Sequence, residues 1–324
     1  MSKESSLKKF YGTREAYGET LVKLGRINRD IVVLDADLSG STKTSMFAKE
    51  FPDRFFNMGV AEQNLIGTAA GLAASGKTVF VSTFAVFLTG RAWEQVRQSV
   101  SFPKQNVKLV SSHGGITVGP DGASHQSTED ISLMRTLANM KVVIPADAYE
   151  VKKVVEYAAN FKGPIYIRCS RDKFPVLFDE DYVFELGKGK ILRDGKDATI
   201  FACGIMVSAS LEAASVLEQE GIDVRVVNMS SLKPIDEDLI IRSADDTGAI
   251  ITAEEHSIIG GLGSAVAEIL GENRPTPMIR VGIKDRFGMS GSSEDLLREY
   301  GLTATNLVNS AKKVLEKKGE RVKA

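Results

Sequence analysis

The chain has 324 residues with 41 basic and 42 acidic side chains, a formal net charge of −1 that gives no electrostatic reason to expect nucleic acid or an anionic membrane as partner. Hydrophobic residues make up 43% and charged residues 26%, which fits a globular protein, and the length suits about two domains. Cys169 and Cys203 stand in apolar, strand-like runs without CxxC or histidine-ligand spacing. Buried free thiols in a reducing cytoplasm are therefore expected. The start, MSKESSLKKF, lacks the apolar core of a signal peptide, and the longest apolar run, TVFVSTFAVFL, is interrupted and too short to span a bilayer.

Residues 13–27 read as an amphipathic helix, after which strand and helix patterns alternate. Strand-like runs occupy 31–38, 54–60, 78–85, 107–112, 141–146 and 164–170, with helical patterns such as 92–100 and 147–160 between them. Asp147 with Glu150, and Ser127 with Asp130, have the spacing of capping boxes. IVVLDADL is almost continuously apolar, as required of a strand covered on both faces. Over 171–197 the pattern lapses into charged, glycine-containing sequence, the expected linker region. Alternation then resumes with strands at 198–203, 224–229, 249–254 and 278–281, and helices at 207–220, 237–243, 263–270 and 304–316. The expected fold is α/β in two domains, 1–185 and 195–324, each a mainly parallel sheet with helices on both faces.

Several stretches carry candidate chemistry. The run 55–76, FFNMGVAEQNLIGTAAGLAASG, leads into a small-residue helix that is apolar on more than one side, which predicts burial. Glu62 falls in its first turn, where it either supports the helix end or is a functional carboxyl; spacing alone does not decide. The long loop 111–129, SSHGGITVGPDGASHQSTE, leaves the C-terminal end of a strand and holds two of the three histidines, His113 and His125. That position suits proton transfer or recognition of oxyanions, although plain surface histidines fit too. No third or fourth ligand is spaced for zinc. Asp37, in LDADLSGS, either starts a helix or faces a ligand, and Phe84 and Phe87 are either core or an aromatic wall for a flat heterocycle. The run 257–270, SIIGGLGSAVAEIL, lacks the third glycine and the downstream acidic residue of a dinucleotide turn. Close packing explains its glycines better. His256 reads as a packing or interface residue.

Together, GTREAYGETL, DADLSGS, NMGVAEQNLIGTAAGLAASG, STFAVF, SSHGGITVGPDGASHQSTED, IPADAYE and EEHSIIGGLG resemble, in order and spacing, the C-terminal half of transketolase, a thiamine-diphosphate enzyme. The resemblance implies a pyrimidine-binding domain followed by the family's C-terminal domain. It makes Glu62 the catalytic glutamate that hydrogen-bonds N1′ of the cofactor's aminopyrimidine. Phe84, Phe87 and Asp37 become cofactor contacts. Arg14 and Ser41 become sugar-phosphate contacts, and His113, Asp121 and His125 line the substrate channel, with His125 near the reacting carbons.

Three departures stand out. The family's second phosphate-binding arginine, placed just before the P-x-D turn, reads here as Ile144, and an aromatic that often follows the two phenylalanines reads as Gly90. The GDG segment that holds the diphosphate and its Mg²⁺ is missing. The resemblance therefore implies the C-terminal subunit of a split transketolase of the cytoplasm. It would pair with an N-terminal subunit that carries GDG and binds Mg²⁺ or Ca²⁺, in an α2β2 complex acting on sugar phosphates. The alternatives weighed are the beta chain of a 2-oxoacid dehydrogenase, a deoxyxylulose-phosphate-synthase-like enzyme, and a non-catalytic regulatory or scaffold subunit.

Overall fold

The computed structural model describes residues 9–323. The reading of MSKESSLKKF rests almost wholly on residues 1–8, which lie outside the described residues. The strands, in chain order, are β1 (Phe10–Gly12), β2 (Ile31–Asp35), β3 (Phe55–Asn57), β4 (Thr78–Phe84), β5 (Val107–Ser112), β6 (Lys141–Val143) and β7 (Ile165–Arg168). They continue with β8 (Lys173–Pro175), β9 (Lys190–Arg193), β10 (Ala198–Ala202), β11 (Val224–Asn228), β12 (Ser231–Lys233), β13 (Ile250–Ser257) and β14 (Met278–Ile283).

Seven strands form the first sheet in the order β12-β6-β7-β5-β4-β2-β3, and β2 to β7 are all parallel in it. The second sheet has the order β14-β13-β10-β11-β9, parallel except for the edge strand β9. Every residue of β2, β4, β5, β7, β10 and β11 is buried, which explains why those segments read as mostly apolar without a strict alternation. Two mainly parallel sheets flanked by helices make the fold α/β, as expected.

Three local outcomes differ from the sequence reading. First, the 171–197 stretch contains β8, which pairs antiparallel with β1, and β9, which borders the second sheet. Second, β12 leaves the second half of the chain and pairs antiparallel with β6, Ser231 opposite Val143. The two halves are thereby joined by a shared sheet, and the largest core cluster runs from Leu34 and Ile66 through Ile144 to Phe201 and Val266. Third, residues 87–101 are not a plain α-helix. Wide π-type turns at Phe87–Arg91 and Val96–Ser101 flank a short α-helical piece, Trp93–Gln95.

The Asp147 cap is as read: Asp147 Oδ1 accepts from Glu150 N at 2.8 Å at the start of helix Ala148–Asn160. Glu150 turns back to Ala146 N at 2.6 Å and also accepts from Asn228 Nδ2 of β11 at 2.9 Å, so the cap doubles as a tie between the sheets. Ser127 and Asp130 make no capping box. Helix Asp130–Arg135 starts after Glu129 with no side-chain cap, and Ser127 Oγ is buried without a hydrogen-bond partner. Asp130 points inward instead, to Tyr166 Oη at 2.6 Å and Arg168 Nε at 3.1 Å. The buried cation Arg168 takes that carboxylate in place of the backbone N–H groups at the helix end.

Candidate active site

Glu62 occupies the first turn of helix Glu62–Ala74 and is 2% exposed. Both carboxylate oxygens lie 3.0 Å from Nη1 of Arg91, a half-exposed residue at the end of the first wide turn. The helix buries Leu65, Ile66, Ala69 and Ala73 but exposes Gln63, Asn64, Gly67 and Gly71. The expected burial is thus corrected in part, because the Gly67–Gly71 face of the helix meets no other part of the described residues.

Phe84 closes β4 and Phe87 opens the wide turn, with ring centroids 6.0 Å apart and planes only 13° from parallel. The loop after β5 folds over them. His113 stacks on Phe84 at 3.7 Å, and His125 meets Phe87 edge-on at 5.3 Å. The two aromatics and two histidines predicted from separate segments therefore form one cluster. His113 adopts a left-handed backbone with φ of 60° and is almost fully buried, its Nδ1 2.8 Å from Ser112 Oγ. Burial first, then the charges of Arg14 and Arg171, push its pKa down to about 3, which leaves the imidazole neutral at ordinary pH. His125 is half-buried, Nδ1 3.0 Å from Ser124 Oγ.

Arg14 rises from the first turn of helix Thr13–Ile27 and donates from Nη1 to Ser41 O at 2.7 Å, which brings two of the predicted contacts together. Its Nε is buried without a hydrogen-bond partner, and burial lowers its pKa. Arg171 was missed by sequence reasoning. It follows the C-terminal end of β7, and its charge acts on both His113 and Arg14. Its Nη1 lies 3.4 Å from where a Cβ on Gly119 would stand, under the histidine loop. Position just past a parallel strand's C-terminal end was the available signal. Ile144, by contrast, is 2% exposed in the core and faces Gly204, whose Cβ position is 3.2 Å from its Cγ2. A cation at that position would be buried between the sheets; the cations whose charges act on His113 are Arg14 and Arg171.

Two predicted residues sit outside the cluster. Asp37 is exposed with φ of 64° and accepts from Asn57 Nδ2 at 2.8 Å. The turn there is organised by its buried neighbour Asp35, which accepts from Leu38 N and the hydroxyls of Thr42 and Thr44. Asp121 is exposed on the 3₁₀ turn Gly119–Asp121.

The glycine turn at 260–263 has a physical reason not to take a phosphate. Glu254 already accepts from Leu262 N at 2.7 Å and Gly263 N at 2.8 Å, filling the helix N-terminus with a carboxylate. A Cβ on Gly261 would lie 2.0 Å from Glu254 Oε2. Desolvation pushes Glu254 up to about 7. His256 is fully buried beside it, donating from Nδ1 to Ser257 O and accepting from Ser132 N at Nε2, which suits the packing or interface role expected of it.

Residues 11–176 match the family model of the transketolase pyrimidine binding domain, and residues 187–307 match the transketolase C-terminal domain. The chain belongs to the transketolase family. A Methanocaldococcus jannaschii protein named as a transketolase C-terminal section is 52% identical over 95% of this chain and 96% of its own length. The 6-deoxy-6-sulfo-D-fructose transketolase subunit of Clostridium sp. (strain MSTE9) is 43% identical, covering 95% of this chain and 96% of that one. Among solved structures, a split gene transketolase described as an inactive beta4 tetramer superposes with a TM-score of 0.89 at 57% identity, over 94% of this chain and 98% of that chain. The chain is thus a transketolase-family subunit of the C-terminal-section type. No helix among the described residues is long and apolar enough to cross a membrane.

Proposed function

We propose that this chain is the pyrimidine-binding subunit of a two-chain, thiamine-diphosphate-dependent transketolase that moves a two-carbon ketol unit from a ketose phosphate to an aldose phosphate. The observation that carries this reading is Glu62, a carboxyl buried in a helix's first turn in the same site as the parallel faces of Phe84 and Phe87. A buried carboxyl and an aromatic wall suit an aminopyrimidine. Bound there, thiamine diphosphate supplies the carbon nucleophile and electron sink for the carbon–carbon cleavage.

The chain's residues then divide the remaining work. Glu62 shares a proton with the pyrimidine ring nitrogen N1′. Phe84 and Phe87 wall the ring and exclude water, and Asp37 stands near the cofactor from the rim. Neutral His113 has Nδ1 engaged with Ser112 Oγ, which leaves Nε2 for a substrate hydroxyl or oxyanion. His125 moves protons at the sugar hydroxyls, and Asp121 meets those hydroxyls at the channel mouth. Arg14, Ser41 and Arg171 hold the phosphate; the unpaired buried Nε of Arg14 supports an anion as its partner.

The sequence carries no GDG tripeptide, and among the described residues no three His, Cys, Asp or Glu side chains gather as a cation site. We therefore assign the diphosphate and its Mg²⁺ or Ca²⁺ to an N-terminal partner subunit, in an α2β2 complex of the cytoplasm. The exposed Gly67–Gly71 face of the helix that starts at Glu62 supports a second chain packing there. We assign 1–185 to the pyrimidine half and 195–324 to the C-terminal half, with 171–197 linking them. The test is Glu62→Ala in the assembled complex: ketol transfer falls by at least about 100-fold if the carboxyl acts at N1′, and unchanged turnover overturns the assignment.

A further inference from the structure

Arg91 makes both of the contacts that the pyrimidine reading assigns to the cofactor. Its Nη1 is 3.0 Å from each oxygen of Glu62, and its guanidinium carbon stands 4.8 Å from the centroid of the Phe87 ring. A guanidinium is a planar group with donors in its plane and a face that stacks on aromatics. An aminopyrimidine would use the same carboxyl and the same ring face.

We propose that Arg91 is an internal stand-in for the cofactor's aminopyrimidine: in the free chain it plugs the pyrimidine site and neutralises Glu62, and it must swing out when the cofactor enters. The proposal rests on the thiamine-diphosphate reading of this site. The geometry favours a reversible plug. Phe87 and Arg91 are four residues apart on one helical segment, so their contact is local. Arg91 keeps about half of its side chain exposed (52%), which gives it a solvent side to move into. The plug also answers a problem that Glu62 poses. Glu62 is 2% exposed, and an ionised carboxylate there without a counter-charge would be costly. Arg91 keeps the site folded until a ligand takes the carboxyl over.

The experiment measures binding of two probes to the full-length chain by calorimetry: thiamine, and the aminopyrimidine half of thiamine as the free alcohol. Fluorescence of Trp93, the single tryptophan, reports the same event from two residues away. Arg91→Ala removes the competitor and is expected to bind both probes about 3- to 10-fold more tightly, the inverse of the plug-free fraction in the wild type. Arg91→Lys, which keeps charge but loses the plane, falls between. Circular dichroism checks that each variant is folded. Equal or weaker binding by Arg91→Ala, with measurable wild-type binding that Glu62→Ala abolishes, overturns the plug while the pyrimidine reading stands. Probe binding that Glu62→Ala leaves untouched, or no binding by any variant, overturns both.

Discussion

Removing Arg168 tests how the two sheets are held together. The side chain is 5% exposed; Nε lies 3.1 Å from the fully buried Asp130 carboxylate, and Nη2 donates to Glu255 O at 2.9 Å. Its charge also acts on the buried carboxyls of Glu254 and Glu255. Arg168→Met keeps most of the volume and leaves those carboxylates without their cation. Breaking a buried pair from one side costs about 3–5 kcal/mol. At roughly 2 °C per kcal/mol for a chain of this length, the melting temperature drops by about 6–10 °C. The loss has a pH signature. Burial raises the pKa of Glu255 and Arg168 lowers it, so the variant raises it further. A group with a raised folded pKa stabilises fully below its unfolded value, near 4.5, and less as pH climbs through the folded one. The deficit is therefore largest at and above neutrality and shrinks on acidification. Thermal melts of wild type, Arg168→Met and Arg168→Met/Asp130→Asn across pH 5–8 check this, with the double variant recovering part of the loss. A pH-independent loss under about 1 kcal/mol would refute the reasoning.

Arg171→Ala is expected to raise KM for phosphorylated substrates about 10- to 100-fold with little change in kcat, because it removes a charge-assisted clamp and not a reacting group. Ile144→Val, by comparison, costs about 1 kcal/mol of stability and leaves KM alone; steady-state kinetics and melts on both variants separate the two positions. Glu254 has a folded pKa near 7 against 4.5 when unfolded, so its contribution is present below 4.5 and fades as pH rises through 7. Glu254→Gln removes that part of the slope, about 3 kcal/mol between those limits, read from stability curves at a series of pH values. Gly261→Ala forces a methyl into the Glu254 carboxylate and should destabilise by more than about 2 kcal/mol in denaturant titrations.

How much of this was legible in the chain depended on locality. Helix Thr13–Ile27 and strands such as β5 were read to the residue because their periodicity is set by burial of one face or two. The Asp147 cap was legible for the same reason, being a contact over three residues. Ser127–Asp130 had the same spacing and failed, because Arg168, far along the chain, takes the carboxylate. β12 escaped notice because a three-residue edge strand has no period to show, and its partner β6 lies about ninety residues earlier. In the site, Glu62, Phe84, Phe87, His113 and His125 were all nominated from local motifs, but only tertiary structure brought them to one place. Arg171 and Arg91 were passed over because an arginine in a polar stretch looks like any surface cation until its partners are known. The small-residue face of helix Glu62–Ala74 suggested burial that the described residues do not supply.

The most direct test of the central claim is ketol transfer with thiamine diphosphate and Mg²⁺, run on this chain alone and on the complex that co-purifies with it from its native extract. Transfer by the complex only, with a GDG-bearing second chain in it, is the predicted result. Transfer by the isolated chain would contradict the division of the cofactor site between two subunits. Release of CO₂ from a 2-oxoacid by the complex, without ketol transfer, would contradict the activity itself.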